Sequence, residues 1–218
     1  SVTLVGTGTR TLTLKGSNTG NNTLTAILPN DASANATSLV KSGTGNWVLA
    51  GANTYTGGIT LSAGTLQLGN PAALGAGSGA ISITAGAVID LNGQTMATPK
   101  SLTLNGTGIN SGGALINSSA TPVTYAGLVT LGSSSSIIAN YGAITLSNAG
   151  TILGSGAGLT LGGSTGGTVT SIIGTGAGAL TKTDSGTWVL NGTNTYTGGI
   201  TLSAGTLQLG NPAALGGS

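Results

Sequence analysis

Apolar and polar residues alternate along this chain in short runs, each closing on a leucine and a turn. Examples are TLTLKG from Thr11, NWVLAG from Asn46, TLQLGN from Thr65 and VIDLNG from Val88. Further on come SLTLNG from Ser101, AITLSN from Ala143, GLTLGG from Gly158 and TWVLNG from Thr187. Alternation with a period of two marks half-buried strands, here about 4–6 residues long and bounded by turn formers. Gly and Asn suit the turns because both tolerate positive φ. No helical stripe is present, and 42 glycines would interrupt one.

The strands are parts of a larger repeat. NTYTGGITLSAGTLQLGNPAALG runs from Asn53 to Gly75 and again, unchanged, from Asn194 to Gly216. The likeness extends outward: residues 39–77 are nearly identical to 180–218, and residues 1–79 correspond to 142–218, whereas 80–141 occur once. A catalytic site needs its residues once, so a verbatim repeat reads as a building unit whose strands bury their apolar faces by stacking. Equivalent leucines recur at short, similar intervals, from Leu49 to Leu68 to Leu91 and again from Leu190 to Leu209. That spacing suits one coil of a parallel solenoid better than an antiparallel sandwich. The expected fold is therefore all-β: a right-handed parallel β-helix over residues 1–218, handed by the crossover rule. It has about ten coils and forms one continuous rod, on the order of 50 Å long at ~4.8 Å per strand. In both copies Leu66 and Leu207 should point inward and Gln67 and Gln208 outward.

Charge narrows the function classes. Only eight residues are charged: Asp31, Asp90, Asp184, Arg10, Lys15, Lys41, Lys100 and Lys182. A net charge of +2 without a basic cluster argues against nucleic acid as a partner. The 38% hydrophobic content separates the chain from disordered, low-hydrophobicity segments. No apolar run reaches the length of a spanning helix. SVTLVG at the start is strand-like, so a signal peptide would lie outside this chain. Without cysteine, disulfides do not hold the fold.

LVKSGTGNWVLAGANTYTGGITLSAGTLQLG and LTKTDSGTWVLNGTNTYTGGITLSAGTLQLG resemble the autotransporter-associated β-strand repeat, also called the passenger-associated transport repeat. The intervening IDLNGQT, LTLNGTGINSGGALINSSA and YAGLVTLGSSSSI are similar to the spacers of large bacterial surface proteins that carry it. The resemblance implies a β-helical passenger or surface-fibre segment outside the cell. It carries over no catalytic residue.

Candidate chemistry is sparse. The chain has no His, Cys or Glu, so most metal and nucleophile constellations lack their parts. Glycosidase chemistry needs two carboxylates across one bond, and the three aspartates read as isolated, solvated strand or turn residues. GLTLGGSTGGT has the glycines of a calcium-binding β-roll without its Asp, and the Gly-rich GTGTR and GSGAG lack the P-loop lysine. No catalytic residue, metal or cofactor is expected. Trp47, Tyr55, Trp188 and Tyr196 are the interaction candidates: they either pack on the coils or form a row that stacks on surface glycans. Recurrent Thr-x-Thr raises an ice-binding face, although outward Thr is also the ordinary β-surface residue. Asn53 and Asn194 head equivalent turns and suit a ladder of stacked amides. The expectation is a non-catalytic extracellular scaffold whose partners are adjacent repeats or copies of itself, with glycan adhesion as the alternative.

Overall fold

A computed structural model describes residues 8–31 and 33–217; the strand expected over SVTLVG lies outside them. The described chain is a β-solenoid in which every strand pair is parallel. Three ladders run along it. The first passes through Arg10–Leu14, Thr37–Lys41, Ile59–Leu61, Ile81–Ile83, Leu102–Gly106 and the start of Val129–Ile138, then Thr151–Leu153 and Ile172–Gly174. The second begins at Asn21–Leu24, Asn46–Leu49, Gly64–Leu68, Ala87–Asp90 and Leu115–Ile116. It continues through the end of Val129–Ile138, Leu159–Gly162, Leu180–Lys182 and Ile200–Leu202. The third holds Val123–Tyr125, Ile144–Leu146, Gly166–Val169, Thr187–Leu190 and Thr206–Leu209. The long strand Val129–Ile138 turns from the first face to the second through an irregularity between Leu131 and Ser135. The only helical element among the described residues is a short 3-10 turn, Ile109–Ser111.

The nine strands of the second ladder give about nine turns, one fewer than expected. The difference arises because coils outside the repeats are longer. Within a repeat Leu49 pairs with Leu68, but elsewhere Arg10 pairs with Thr37 and Leu102 with Val129. Alternation builds the core. Leu39, Ile59, Ile81, Leu102 and Val129 stack in register as one inward column. Leu66, Ile89, Leu115, Ile137 and Leu161 form another, and all of them are buried. Each fully buried side chain of this kind contributes roughly 1.5–3 kcal/mol.

Each repeat copy stacks on itself. In the first, Leu39 lies beneath Ile59 and Trp47 beneath Leu66. In the second, Leu180 lies beneath Ile200 and Trp188 beneath Leu207. The two copies occupy different faces: Thr37–Lys41 is on the first ladder, but its counterpart Leu180–Lys182 is on the second. The shift follows from the length between them. From Leu39 to Leu180 the chain makes six coils and one further face, not a whole number of coils.

Leu66 is buried and Gln67 half-buried, whereas Leu207 is only half-buried because no described coil covers its upper side. Ile200, Leu202, Leu209 and Leu215 are exposed at the same end.

Candidate functional site

The repeat is the most chemically distinctive feature of the rod: its Thr and Ser side chains face outward, whereas its lysine and leading asparagine turn inward. Lys41 and Lys182 follow Leu39 and Leu180 by two residues, so strand alternation points them into the core. They stand in apolar columns, Leu14–Lys41–Leu61 and Leu161–Lys182–Leu202. Both are fully buried. A buried ammonium without a carboxylate needs other acceptors, and the adjoining turns provide backbone carbonyls. Lys41 Nζ donates to Gly43 O at 2.7 Å, Ala63 O at 2.9 Å and Ser42 O at 3.4 Å. Lys182 Nζ donates to Asp184 O at 2.7 Å, Ala204 O at 3.1 Å and Thr183 O. In each case one acceptor lies in the next coil. Burial pushes both lysines below their ordinary pKa; Asp184 partly opposes the shift at Lys182. Buried Lys100 donates to Gly77 O and is lowered by the same cause.

The nest leaves no room for a side chain above it. Gly64 has φ 69°, and a Cβ there would lie 2.4 Å from Gly45 O and 2.6 Å from Lys41 Nζ. Gly205, at φ 69°, would meet Asp184 O at 2.3 Å. Asp184 itself adopts φ 58° where the first copy has Gly43 at φ 79°, a conformation Asp tolerates better than most residues.

Asn53 and Asn194 are buried. Neither bonds to another Asn side chain, the stacking the sequence suggested. Each carboxamide instead joins the backbones of the coils below and above. Asn53 Oδ1 accepts from Leu28 N at 2.9 Å, and its Nδ2 donates to Ala73 O at 2.6 Å. Asn194 makes the same pair with Ile173 N at 2.8 Å and Ala214 O at 2.7 Å. Buried Asn117 bridges likewise, from Gly93 N to Gly142 O. Like amides meet elsewhere: Asn46, in register with Asn21 of the coil below, donates its Nδ2 to Asn21 Oδ1 at 2.6 Å.

The aromatics pack. Trp188, Tyr55 and Tyr196 are buried and Trp47 is half-buried. Trp47 Nε1 donates to Lys15 O and Trp188 Nε1 to Gly162 O, both at 3.0 Å and both to the coil below. The Tyr55 hydroxyl is buried without a partner; that of Tyr196 donates weakly to Ala214 O at 3.4 Å. These four therefore form no exposed row for sugar stacking. Outward Thr is arranged in single files, such as Thr60–Ser82–Thr103–Thr130 on the first face.

Two aspartates are not the solvated groups their sequence context suggested. Asp90 alternates with Ile89 and Leu91 as expected, yet it is 2% exposed. Gln67 from the coil below and Ser118 from the coil above close over it. Its carboxylate accepts from Ser118 Oγ at 2.6 Å, Gln67 Nε2 at 2.8 Å, Asn92 N at 2.9 Å and Ser118 N at 3.0 Å. Asp31, also buried, accepts from the Asn35 side chain and from Asn35 N, Ser33 N and Gly8 N, which hold it below the usual carboxylate range. Asp184 is exposed and accepts from Gly163 N at 2.7 Å. Asp90 and Asp184 are four ladder steps apart. That is about 19 Å along the axis at ~4.8 Å per step, beyond the roughly 6.5–9.5 Å of paired glycosidase carboxylates. Among the described residues no three metal-ligating side chains cluster, and no helix is long and apolar enough to cross a membrane.

Comparison with known proteins matches this geometry. The passenger-associated-transport-repeat profile matches residues 39–68 and 180–209, the two segments that stack on themselves. The chain is 32% identical over 171 residues to the adhesin BmaC autotransporter of Brucella suis biovar 1 (strain 1330). That alignment covers 78% of this chain and 4% of the relative, so the chain spans a small fraction of the protein it matches. No solved structure matches it.

Proposed function

We propose, from a chain that belongs to the passenger-associated-transport-repeat family, that it is a non-catalytic scaffold segment of a bacterial surface protein, displayed outside the cell. One observation carries the reading. The distinctive side chains of the repeat, Lys41, Trp47 and Asn53 with their counterparts Lys182, Trp188 and Asn194, all bond coil to coil. A sequence repeated for binding would keep these groups at the surface. This one uses them to build a rod, and the rod carries other surfaces away from the cell. Its immediate partners are adjacent repeats or copies of itself. Ile200, Leu202, Leu209 and Leu215 form an apolar end face suited to a further coil of the same kind.

A second reading follows from the relative's description as an adhesin. Binding then belongs to outward residues between the repeats, for example Tyr141, which is 68% exposed, rather than to the four buried or half-buried aromatics.

The chain has no cysteine, so one engineered thiol is unique within it. In cells producing the full-length protein, Thr60→Cys should react with a membrane-impermeant maleimide above the level of the parent protein. Thr60 is exposed, and its buried neighbour Leu61→Cys should react only after denaturation. Labelling of Thr60→Cys only after lysis would exclude surface display.

A further inference from the structure

We infer that Lys41 and Lys182 are register locks: buried cations that make one coil-to-coil alignment far better than its neighbours. The inference rests on the scaffold reading for its premise, and its test is separate from the labelling of intact cells.

The apolar pattern alone leaves the register open. Slipping a strand by one residue swaps its faces and is strongly opposed, but a slip of two residues returns every side chain to its own face. The strands that stack here are nearly interchangeable: Ile59–Leu61, Ile81–Ile83 and Leu102–Leu104 all read apolar, hydroxyl, apolar. Glycine-rich turns add little rigidity. Apolar columns of Leu, Ile and Val accept such a slip with modest loss.

A lysine in the column does not accept it. Lys41 Nζ reaches Ala63 O, its acceptor in the next coil, only when Leu39 faces Ile59 and Lys41 faces Leu61; Ser42 O and Gly43 O belong to its own turn and travel with it. Two residues out of register, the same ammonium remains in the apolar interior, and Ala63 O moves by two strand positions. A buried ammonium stripped of one of its three acceptors costs more than a lost apolar contact. The lysine therefore acts mainly by penalising wrong alignments, as a buried polar residue does in a coiled-coil seam. Three details agree. The lock joins the two halves of a single repeat, so each unit sets its own register. Gly64 and Gly205 leave the space the ammonium and its carbonyls need. The second copy rebuilds the same three contacts on a different face of the rod, so the device depends on the repeat and not on its position.

The test separates choice of register from stability. Val40 and Thr60 are partners in the native register and both point outward; Ser62 is the partner after a two-residue slip. Two cysteine pairs, Val40→Cys with Thr60→Cys and Val40→Cys with Ser62→Cys, are oxidised in the purified chain with Lys41 and with Lys41→Met. With Lys41, only the first pair should close. With Lys41→Met, the chain should stay folded by circular dichroism, and the second pair should close several-fold more than with Lys41. Equal closure of the off-register pair in both backgrounds would overturn the inference. Loss of folding in Lys41→Met would also overturn it, because the lysine would then supply stability rather than selection.

Discussion

Replacing Asn53 by alanine tests the bridging amide most sharply. The side chain is 3% exposed and makes two bonds, from Leu28 N at 2.9 Å and to Ala73 O at 2.6 Å. Alanine removes both and leaves a backbone donor in one coil and an acceptor in another facing a void. Each buried group left unpaired costs about 1–3 kcal/mol. The two belong to one amide and are not independent, so the expected loss is about 2–5 kcal/mol. Leucine fills the volume but restores neither bond, so Asn53→Leu should recover only a small part of it. Urea unfolding followed by far-ultraviolet circular dichroism measures the loss, with Thr60→Ala as an outward control expected within about 0.5 kcal/mol of the parent. Stacked coils can unfold in parts. Hydrogen exchange at Leu28 N should therefore be read beside the global transition, and its protection should fall in both Asn53 variants. A loss for Asn53→Ala no larger than for Thr60→Ala, with Leu28 N still protected, would refute the bridge.

Other outcomes follow from the same geometry. Asp90→Ala should destabilise the chain by about 2–4 kcal/mol, since four donors converge on that carboxylate; Asp184→Gly, which gives this exposed turn the residue the first copy carries as Gly43, should cost less in the same urea titration. Tyr55→Phe should leave stability unchanged or slightly raised, because the hydroxyl removed is buried without a partner. Stability should depend on alkaline pH in two opposed ways, visible in thermal melts across pH 8–12. Lys41, Lys100 and Lys182 have folded pKa values lowered by burial, so folding gains as pH rises from those values toward the ordinary ~10.5. Tyr55, Tyr125 and Tyr196 are raised by burial, so folding loses stability as pH climbs above the ordinary ~10. In single-tryptophan variants, Trp188 should resist acrylamide quenching more than the half-buried Trp47.

Much of this fold is legible in the sequence because strand alternation is a direct record of burial. The runs ending in Leu mark the inward columns, and the regular spacing within each repeat reappears as Trp47 beneath Leu66 and Trp188 beneath Leu207. The coil count is less legible, since insertions such as residues 29–36 and 105–113 lengthen individual coils without disturbing the pattern. The placement of the second copy on another face was also hidden: it depends on the summed length of the spacer coils. Side-chain chemistry is legible only in part. Alternation puts Lys41 inside, two residues after Leu39, but sequence alone does not show that turn carbonyls wait there. Asp90 is outward by alternation and buried by its neighbours Gln67 and Ser118, which come from the coils before and after it. The Asn bridges likewise join residues that only the stacked coils bring together.

The central claim is that parallel coils stack in fixed register to make a rod, and one distance tests it directly. Thr13 and Thr130 lie on the first face, linked through Val40, Thr60, Ser82 and Thr103 by five ladder steps. At ~4.8 Å per step their backbones are about 24 Å apart along the axis. Spin labels at Thr13→Cys and Thr130→Cys, measured by pulsed dipolar spectroscopy, should give a single narrow distribution near that separation. The intermediate pair Thr60→Cys and Thr130→Cys should be shorter by two steps, about 10 Å. A broad distribution, or separations that fail to grow with the number of ladder steps, would contradict the stacked solenoid.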